Sequence, residues 1–132
     1  MDTIKFKRFC KVLQLESDPE LIEEYKLRHS AVWPEIIEGL KKVGVLDMEI
    51  YLHGNMLFMI MDTVPEFDDT EAMGRLAGLP RQAEWESEMS TYQKTSPEAS
   101  ASEKWQLIER VFDLNQYETR EAREGQLKTM SH

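Results

Sequence analysis

The N-terminal segment alternates between two differently composed sets of positions. From Lys5 to Leu13, one set is Phe6, Arg8, Cys10 and Val12, and the other is Lys5, Lys7, Phe9, Lys11 and Leu13. A period of two residues is typical of a β-strand, and the mixture of apolar and charged residues indicates two differently used faces. We therefore predict a first strand here.

The next segment has the start and the spacing of a helix. Residues 17–20, SDPE, supply a capping side chain, a proline at the first helical position and an acid in the first turn. Helical spacing then continues through Leu21, Ile22, Tyr25 and His29. Because Pro34 disfavours helix at the residue before it, we predict a break near Val32 and Trp33. A second helical piece, with Ile36, Ile37, Leu40 and Val43, ends at Gly44 as a left-handed cap.

The remaining pattern predicts a hairpin, one or two helices and a closing strand. VLDMEIYLHGNMLFMIMDTV contains two strands around a turn at residues 53–55, and its second arm, Met56 to Met61, is uninterruptedly apolar. Such an arm is expected of an inner strand covered on both faces. Helix interrupted around Gly78 and Pro80 is predicted for DDTEAMGRLAGLPRQAEWESEMSTYQ. A polar loop is predicted for SPEASASEKW, and the last strand for WQLIERVFDL.

The order strand, helix, strand, strand, helix, strand is that of a ferredoxin-like α+β fold, an antiparallel sheet with helices on one face. The other face of such a sheet needs cover, so we expect a homodimer. The chain of 132 residues predicts one domain over residues 1–115, followed by a charged C-terminal extension over residues 116–132.

Composition and charge narrow the function. A net charge of −9 disfavours nucleic acid as a partner. Cys10 is the single cysteine, which excludes an internal disulfide and suggests a small buried apolar residue. No apolar run resembles a signal peptide or a membrane span, so we expect a cytoplasmic protein without membrane contact.

Tyr25, His29 and Trp33 follow one another at four-residue intervals, which would place their rings along one side of a helix. Spacing alone favours a structural histidine. The alternative is a pocket in which an imidazole and a phenol face one ligand and exchange protons with it.

Two further segments have both a structural and a functional interpretation. In the predicted second strand, Glu49, Tyr51 and His53 share one face and Met48, Ile50 and Leu52 the other, and alternation does not choose which meets a helix. Trp85, between Glu84 and Glu86, could stack on a sugar while a carboxylate accepts from hydroxyl groups, or could pack on the sheet.

Signatures of metals and cofactors are missing from the sequence. The histidines are His29, His53 and His132, and there is no HxH, HExxH, CxxC or EF-hand spacing. GxGxxG, GxxxxGK and GxSxG are also absent. We therefore expect neither a metal nor an organic cofactor.

Four segments in order, EEYKLRHSAVWPEI, DMEIYLHGNMLFMI, LPRQAEWESEM and LIERVFDL, resemble the L-rhamnose mutarotase family across roughly residues 4 to 115. The segments DMEIY and LPRQAEWE are most similar to the branch described as acting on L-fucose. The resemblance implies a dimeric α/β barrel of ferredoxin-like subunits. It also implies cofactor-free interconversion of the α and β anomers of a free 6-deoxy sugar, L-fucose or L-rhamnose.

The resemblance also implies roles for individual residues. His29 matches the proton-donating histidine and Tyr25 a substrate-binding tyrosine. Trp85 and Glu86 match a substrate-binding pair that is two aromatic residues in rhamnose enzymes, and Met48 falls where those enzymes carry a substrate-binding tyrosine. Glu86 and Met48 are thus departures that bear on the identity of the sugar.

Mutarotation needs one proton removed from the anomeric hydroxyl and one delivered to the ring oxygen, and positioned acid and base groups supply roughly two to four powers of ten in rate. We expect His29 to be the principal acid or base, with Tyr25 orienting a hydroxyl or completing the proton path. Trp85 would stack on the sugar, and Glu86 would accept hydrogen bonds or transfer the second proton. Two alternatives stay open: a cofactor-free monooxygenase of the dimeric barrel type, and a non-catalytic sugar-binding module.

Overall fold

The computed structural model describes residues 5–95, 99 and 101–114. Its elements, in chain order, are β1 Lys7–Gln14, α1 Pro19–His29, α2 Pro34–Lys42, β2 Val45–His53, β3 Met56–Thr63, α3 Asp69–Ala77, α4 Gln82–Met89, α5 Ala101–Lys104 and β4 Gln106–Leu107. No helix in these ranges is long and apolar enough to cross a membrane.

The strands form one antiparallel sheet in the order β2-β3-β1-β4. This order confirms the predicted α+β fold with a ferredoxin-like sheet, in which the two inner strands are β3 and β1. On β3, Leu57, Met59, Met61 and Thr63 are buried beneath the helices, whereas Met56, Phe58, Ile60 and Asp62 are half-buried on the other face. The described chain therefore covers β3 fully on one face, and cover of the other face by a second copy stays a prediction.

The predicted break between the first two helices is confirmed. Asp18 caps α1 by accepting a hydrogen bond from the backbone N–H of Glu20 at 2.9 Å. Helix α1 ends at His29 and α2 begins at Pro34, with Trp33 in extended conformation at its N-cap. Proline excludes helical geometry from the residue before it, so Trp33 turns the chain. Gly44, at φ 108°, has the predicted left-handed conformation after α2.

The long helical segment after the hairpin is divided in two. Helix α3 stops at Ala77, and Arg81 adopts a left-handed conformation with φ 61° immediately before α4. Gly78 and Pro80, which the sequence marked as the interruption, lie between the two helices. The turn brings α4 back against α2, where Gln82 Nε2 donates to the backbone carbonyl of Glu35 at 3.1 Å.

The structure differs from the prediction in three respects. The strand expected over residues 105–114 pairs only at Gln106 and Leu107, which lie opposite Val12 and Lys11. It is an edge strand with one neighbour, and its later residues lie exposed. The loop expected over residues 96–105 contains the short helix α5. Cys10 is half-buried rather than buried, because it lies on the sheet face away from the helices.

The predicted extension over residues 116–132 lies outside the described residues, and the boundary at residue 115 stays a prediction.

Candidate active site

A cavity of about 370 Å³ lies between the sheet and the helices. All four longer helices and the three longer strands contribute to its walls. The lining side chains are mostly apolar, with a small polar set. The polar set consists of Lys11, Tyr25, His29, Gln82, Glu86 and Gln93. A largely apolar hollow with a few polar groups is the usual form of a small-molecule site.

Tyr25 and His29 face this cavity together from the last turns of α1. Their ring centroids are 4.2 Å apart and their planes are inclined by 34°. Tyr25 is 4% exposed, and His29 is half-buried at the cavity wall. The four-residue spacing therefore places both rings at one opening, as the functional interpretation of the stripe requires.

The hydrogen bonding of His29 defines its tautomer. Nδ1 lies 3.0 Å from the backbone carbonyl oxygen of Tyr25. Because a carbonyl oxygen accepts and never donates, Nδ1 carries the hydrogen, and Nε2 of the neutral ring keeps its lone pair. Burial lowers the pKa of His29, and the hydrogen bond to Tyr25 opposes this only in part. The neutral imidazole is thus favoured, with Nε2 as an available base.

Tyr25 is a hydrogen-bond donor and not a base. Burial raises the pKa of its hydroxyl, and the nearby negative charge of Glu86 raises it further. Both effects disfavour the phenolate, the first because a buried anion is poorly solvated and the second because like charges repel. The hydroxyl therefore keeps its hydrogen for a ligand.

Glu86 brings a carboxyl group to the cavity from α4. Burial raises its pKa, while the positive charge of Lys104 lowers the pKa by a smaller amount. Lys104 Nζ lies 3.5 Å from Glu86 Oε1, and it donates a hydrogen bond to Ser90 Oγ at 2.7 Å. Oε1 is enclosed and accepts no hydrogen bond from the described residues. The contact with Lys104 is therefore a loose ion pair when Glu86 is ionised, and the burial of Glu86 favours its protonated form.

Trp85 lies between the cavity and Trp33. It meets His29 edge to face, with centroids 5.5 Å apart, and meets Trp33 in the same way at 5.1 Å. The guanidinium carbon of Arg81 lies 3.9 Å from the centroid of Trp33. Trp85 lines the cavity and Trp33 does not. Trp33 therefore holds Trp85 in place from behind.

The structure also decides which face of β2 meets the helices. Met48 and Ile50 line the cavity. Tyr51 lies on the other face, where its hydroxyl donates to Glu49 Oε1 at 2.7 Å. It borders a smaller hollow of about 110 Å³ that Tyr25 and His29 also line. His53 is exposed at the end of the strand. All five residues selected from the sequence, Tyr25, His29, Met48, Trp85 and Glu86, therefore line one cavity.

Sequence reasoning missed three buried polar residues at or next to the cavity. Lys11 lies on the inner face of β1, and its Nζ donates to Asp69 Oδ1 at 2.7 Å. Gln93 follows α4 and is 4% exposed, and Lys104 on α5 pairs with Glu86. The alternation of Lys11 with buried neighbours and the helical spacing of Gln93 after α4 were usable signals, whereas the polar stretch around Lys104 gave none.

Among the residues that the structure describes, no group of three or more His, Cys, Asp or Glu could hold a metal ion. The polar side chains that line the cavity can transfer protons and form hydrogen bonds.

Known proteins are similar to this chain in sequence and in fold. A sequence model of the L-rhamnose mutarotase family matches residues 8–114. The chain is 36% identical over 115 residues to the L-fucose mutarotase of Xanthomonas campestris pv. campestris, which covers 86% of this chain and 92% of that protein. It is 30% identical to the L-rhamnose mutarotase of Paraburkholderia phytofirmans, with 87% of this chain and 97% of that protein covered.

A crystal structure of the L-rhamnose mutarotase from Formosa agariphila has a similar fold, with a TM-score of 0.63 and 22% identity, covering 82% of this chain and 98% of that one. At that identity the likeness concerns the fold, and the family match rests on the sequence over residues 8–114. The chain belongs to the L-rhamnose mutarotase family.

Proposed function

We propose that this protein is an isomerase that interconverts the α and β anomers of a free 6-deoxyhexose, L-fucose or L-rhamnose, by acid–base ring opening. The observation that carries the proposal is the meeting of His29, Tyr25 and Glu86 at one cavity of about 370 Å³. The family match and the names of the relatives support the same activity.

The proposed reaction uses two protons and returns both. Nε2 of His29 takes the proton of the anomeric hydroxyl while the carboxylic acid of Glu86 gives a proton to the ring oxygen, and the bond from C1 to the ring oxygen breaks. The open-chain aldehyde then rotates about its bond to C2. On reclosure, the former ring oxygen attacks C1 and returns its proton to Glu86, while His29 reprotonates the carbonyl oxygen.

The opposed pKa shifts support these roles. Burial lowers the pKa of His29 and raises the pKa of Glu86, so the two values move towards each other. Proton transfer is most efficient when acid and base both have a pKa close to the working pH. An isolated glutamic acid would be almost fully ionised at neutral pH and would make a poor acid.

The remaining three site residues are proposed to bind the sugar. Trp85 offers an indole face for the C–H groups of the ring, and the Tyr25 hydroxyl donates to a sugar oxygen. Met48, with Ile50 beside it on β2, provides an apolar wall for the methyl group of a 6-deoxy sugar.

The test is the exchange rate between anomers, measured by saturation-transfer NMR on L-fucose and L-rhamnose. His29→Ala should lower the catalysed rate about 10²- to 10⁴-fold, the range ascribed to a positioned acid or base. His53→Ala, at an exposed position outside the cavity, is the matched control and should keep the full rate. Binding of the sugar without faster exchange would instead identify a binding module, and an unchanged rate in His29→Ala would remove that residue from the mechanism.

We also propose that the protein is a homodimer. One face of the sheet carries the helices, and the other shows half-buried Phe58 and Ile60. Beyond β4, Val111 is 92% exposed and Leu114 is 66% exposed. An apolar segment beside an uncovered sheet face supports contact with a second copy of the chain.

A further inference from the structure

Two polar residues of the cavity wall have no role in the proposed reaction or in the proposed binding contacts and are buried at different points of the fold. They are Lys11, on the inner face of β1, and Gln93, which follows α4. Gln93 forms an antiparallel bridge with Leu15, whose side chain is buried on the same side of the sheet. Lys11 and Leu15 are four residues apart, about 13 Å along a strand. Lys11 and Gln93 therefore border the cavity at different points along β1.

Gln93 has an unused hydrogen-bond acceptor. The residue is 4% exposed, and its Oε1 is enclosed without a hydrogen bond from any described residue. A buried polar group without a hydrogen-bond partner is unfavourable. Since Gln93 lines the cavity, a small rotation of its side chain would present this oxygen to a ligand hydroxyl, which would supply the missing hydrogen bond.

Lys11 has unused hydrogen-bond donors, and Asp69 balances its positive charge. Its side chain is 3% exposed, and its Nζ is 2.7 Å from Asp69 Oδ1. An ammonium group has three N–H donors, and within the described part of the chain one of them is accepted, by Asp69. The carboxylate balances the charge, so the remaining N–H groups can donate to neutral oxygen atoms without leaving a buried charge unpaired.

We propose that Lys11 and Gln93 each bind a hydroxyl group of the sugar, at different points of the cavity wall, and together determine which 6-deoxyhexose is accepted, an inference that rests on the proposed function. L-Fucose and L-rhamnose have the same atoms and differ in the orientation of the hydroxyl groups at C2 and C4. Discrimination between them therefore requires fixed polar groups at the cavity wall. Sites that hydrogen-bond a substrate hydroxyl discriminate strongly, because a mismatch leaves buried polar groups unpaired.

The experiment combines protein variants with sugars that lack one hydroxyl. Anomer exchange is measured for the unaltered protein and for Gln93→Leu on the better of the two 6-deoxyhexoses and on its 2-deoxy, 3-deoxy and 4-deoxy analogues. Gln93→Leu should slow exchange of the parent sugar about twofold to tenfold, the effect of one lost hydrogen bond. It should have no effect on one analogue, either the 2-deoxy or the 4-deoxy sugar, because that sugar lacks the hydroxyl that Gln93 binds. An equal effect on every sugar, or none, overturns the proposal.

Lys11→Met should likewise slow exchange of the parent sugar and have no effect on the analogue that lacks the hydroxyl bound by Lys11. The double variant Lys11→Met with Asp69→Asn, which avoids an unpaired carboxylate, should behave in the same way. Gln14→Leu and Lys94→Met, at exposed positions, are matched controls and should leave all rates unchanged. Saturation-transfer difference spectra record binding in parallel. Binding without exchange in the unaltered protein would contradict the proposed function and still test the two hydroxyl contacts through affinity, whereas absence of both would contradict both.

Discussion

At the scale of single residues, the site depends on how burial changes the protonation of His29 and Glu86. Each side chain keeps one local interaction: Nδ1 of His29 donates to the Tyr25 carbonyl at 3.0 Å, and Glu86 lies 3.5 Å from Lys104. Partial burial then favours the neutral form of both groups. A neutral base and a neutral acid at one cavity are what ring opening of a hemiacetal requires.

These shifts predict a bell-shaped dependence of the exchange rate on pH. Activity is lost on the acidic side when His29 becomes protonated, and because its pKa is lowered this occurs below the usual histidine range. Activity is lost on the alkaline side when Glu86 ionises, above the usual carboxyl range because its pKa is raised. Lys104 and Tyr25 are the other titratable groups whose charges act on Glu86 or respond to it.

Glu86→Gln tests whether ionisation of Glu86 causes the alkaline limb of the pH profile, the loss of activity at high pH. The variant keeps the shape of the side chain and removes the ionisation, so its exchange rate should be lower and should no longer fall on the alkaline side. Rate profiles against pH for the two proteins give the answer, with Glu84→Gln, exposed on the same helix, as the matched control. An alkaline limb that persists unchanged in Glu86→Gln would assign it to another group.

At the scale of secondary-structure elements, the interruption between α1 and α2 and the contact between α2 and α4 shape the cavity. The chain leaves α1 at His29 and re-enters a helix at Pro34, which lets α2 form a separate wall. Helix α2 approaches α4 closely at Gly39. A Cβ there would collide with Gln82 Nε2 and lie 3.1 Å from Leu76 Cδ1. Glycine at this position therefore permits the helix contact.

Gly39→Ala and Gly74→Ala should change stability in opposite directions. Both glycines are inside helices, where alanine is favoured by about 1 kcal/mol. At Gly39, overpacking costs about 1–3 kcal/mol, and displacement of Gln82 also loses its hydrogen bond to Glu35 at 3.1 Å. We expect net destabilisation there.

Gly74 is the matched control, because a Cβ there meets nothing within 4 Å. Gly74→Ala should therefore stabilise the protein by up to about 1 kcal/mol. Urea denaturation of the three proteins provides the measurement. Equal effects at the two positions would show that close packing of α2 on α4 does not limit stability.

At the scale of the whole molecule, the sheet separates the helices and the cavity from a sheet face that the described chain leaves partly exposed. The helices and the cavity occupy one face. The opposite face has half-buried Cys10, Val12, Phe58 and Ile60, and the chain beyond β4 adds exposed apolar residues. A second copy of the chain would bury this surface.

The homodimer predicts a mass in solution twice that of one chain. Val111→Asp should shift the equilibrium towards the monomer, because Val111 is 92% exposed in the single chain and an aspartate would oppose apolar burial. Leu27→Asp, 67% exposed on α1, is the control and should not dissociate the dimer. Sedimentation equilibrium over a range of concentrations distinguishes these outcomes. A monomeric unaltered protein would contradict the proposal.

By itself, the sequence determined the order of elements, the break before Pro34 and the common side of Tyr25 and His29. These features follow from local rules: the periods of strands and helices, the restriction imposed by proline, and capping. The short β4 was not predictable from the same rules, because apolar residues after Leu107 suit a strand whether or not a partner lies beside them.

The tertiary structure alone decided which face of β2 meets the cavity, that Trp33 lies behind Trp85, and that Lys11, Gln93 and Lys104 are buried. Each of these depends on which elements pack together, and a local pattern contains no information about a distant partner. Lysine is rarely buried without a counter-charge. The burial of Lys11 and Lys104 became explicable only once the fold had brought Asp69 and Glu86 within reach.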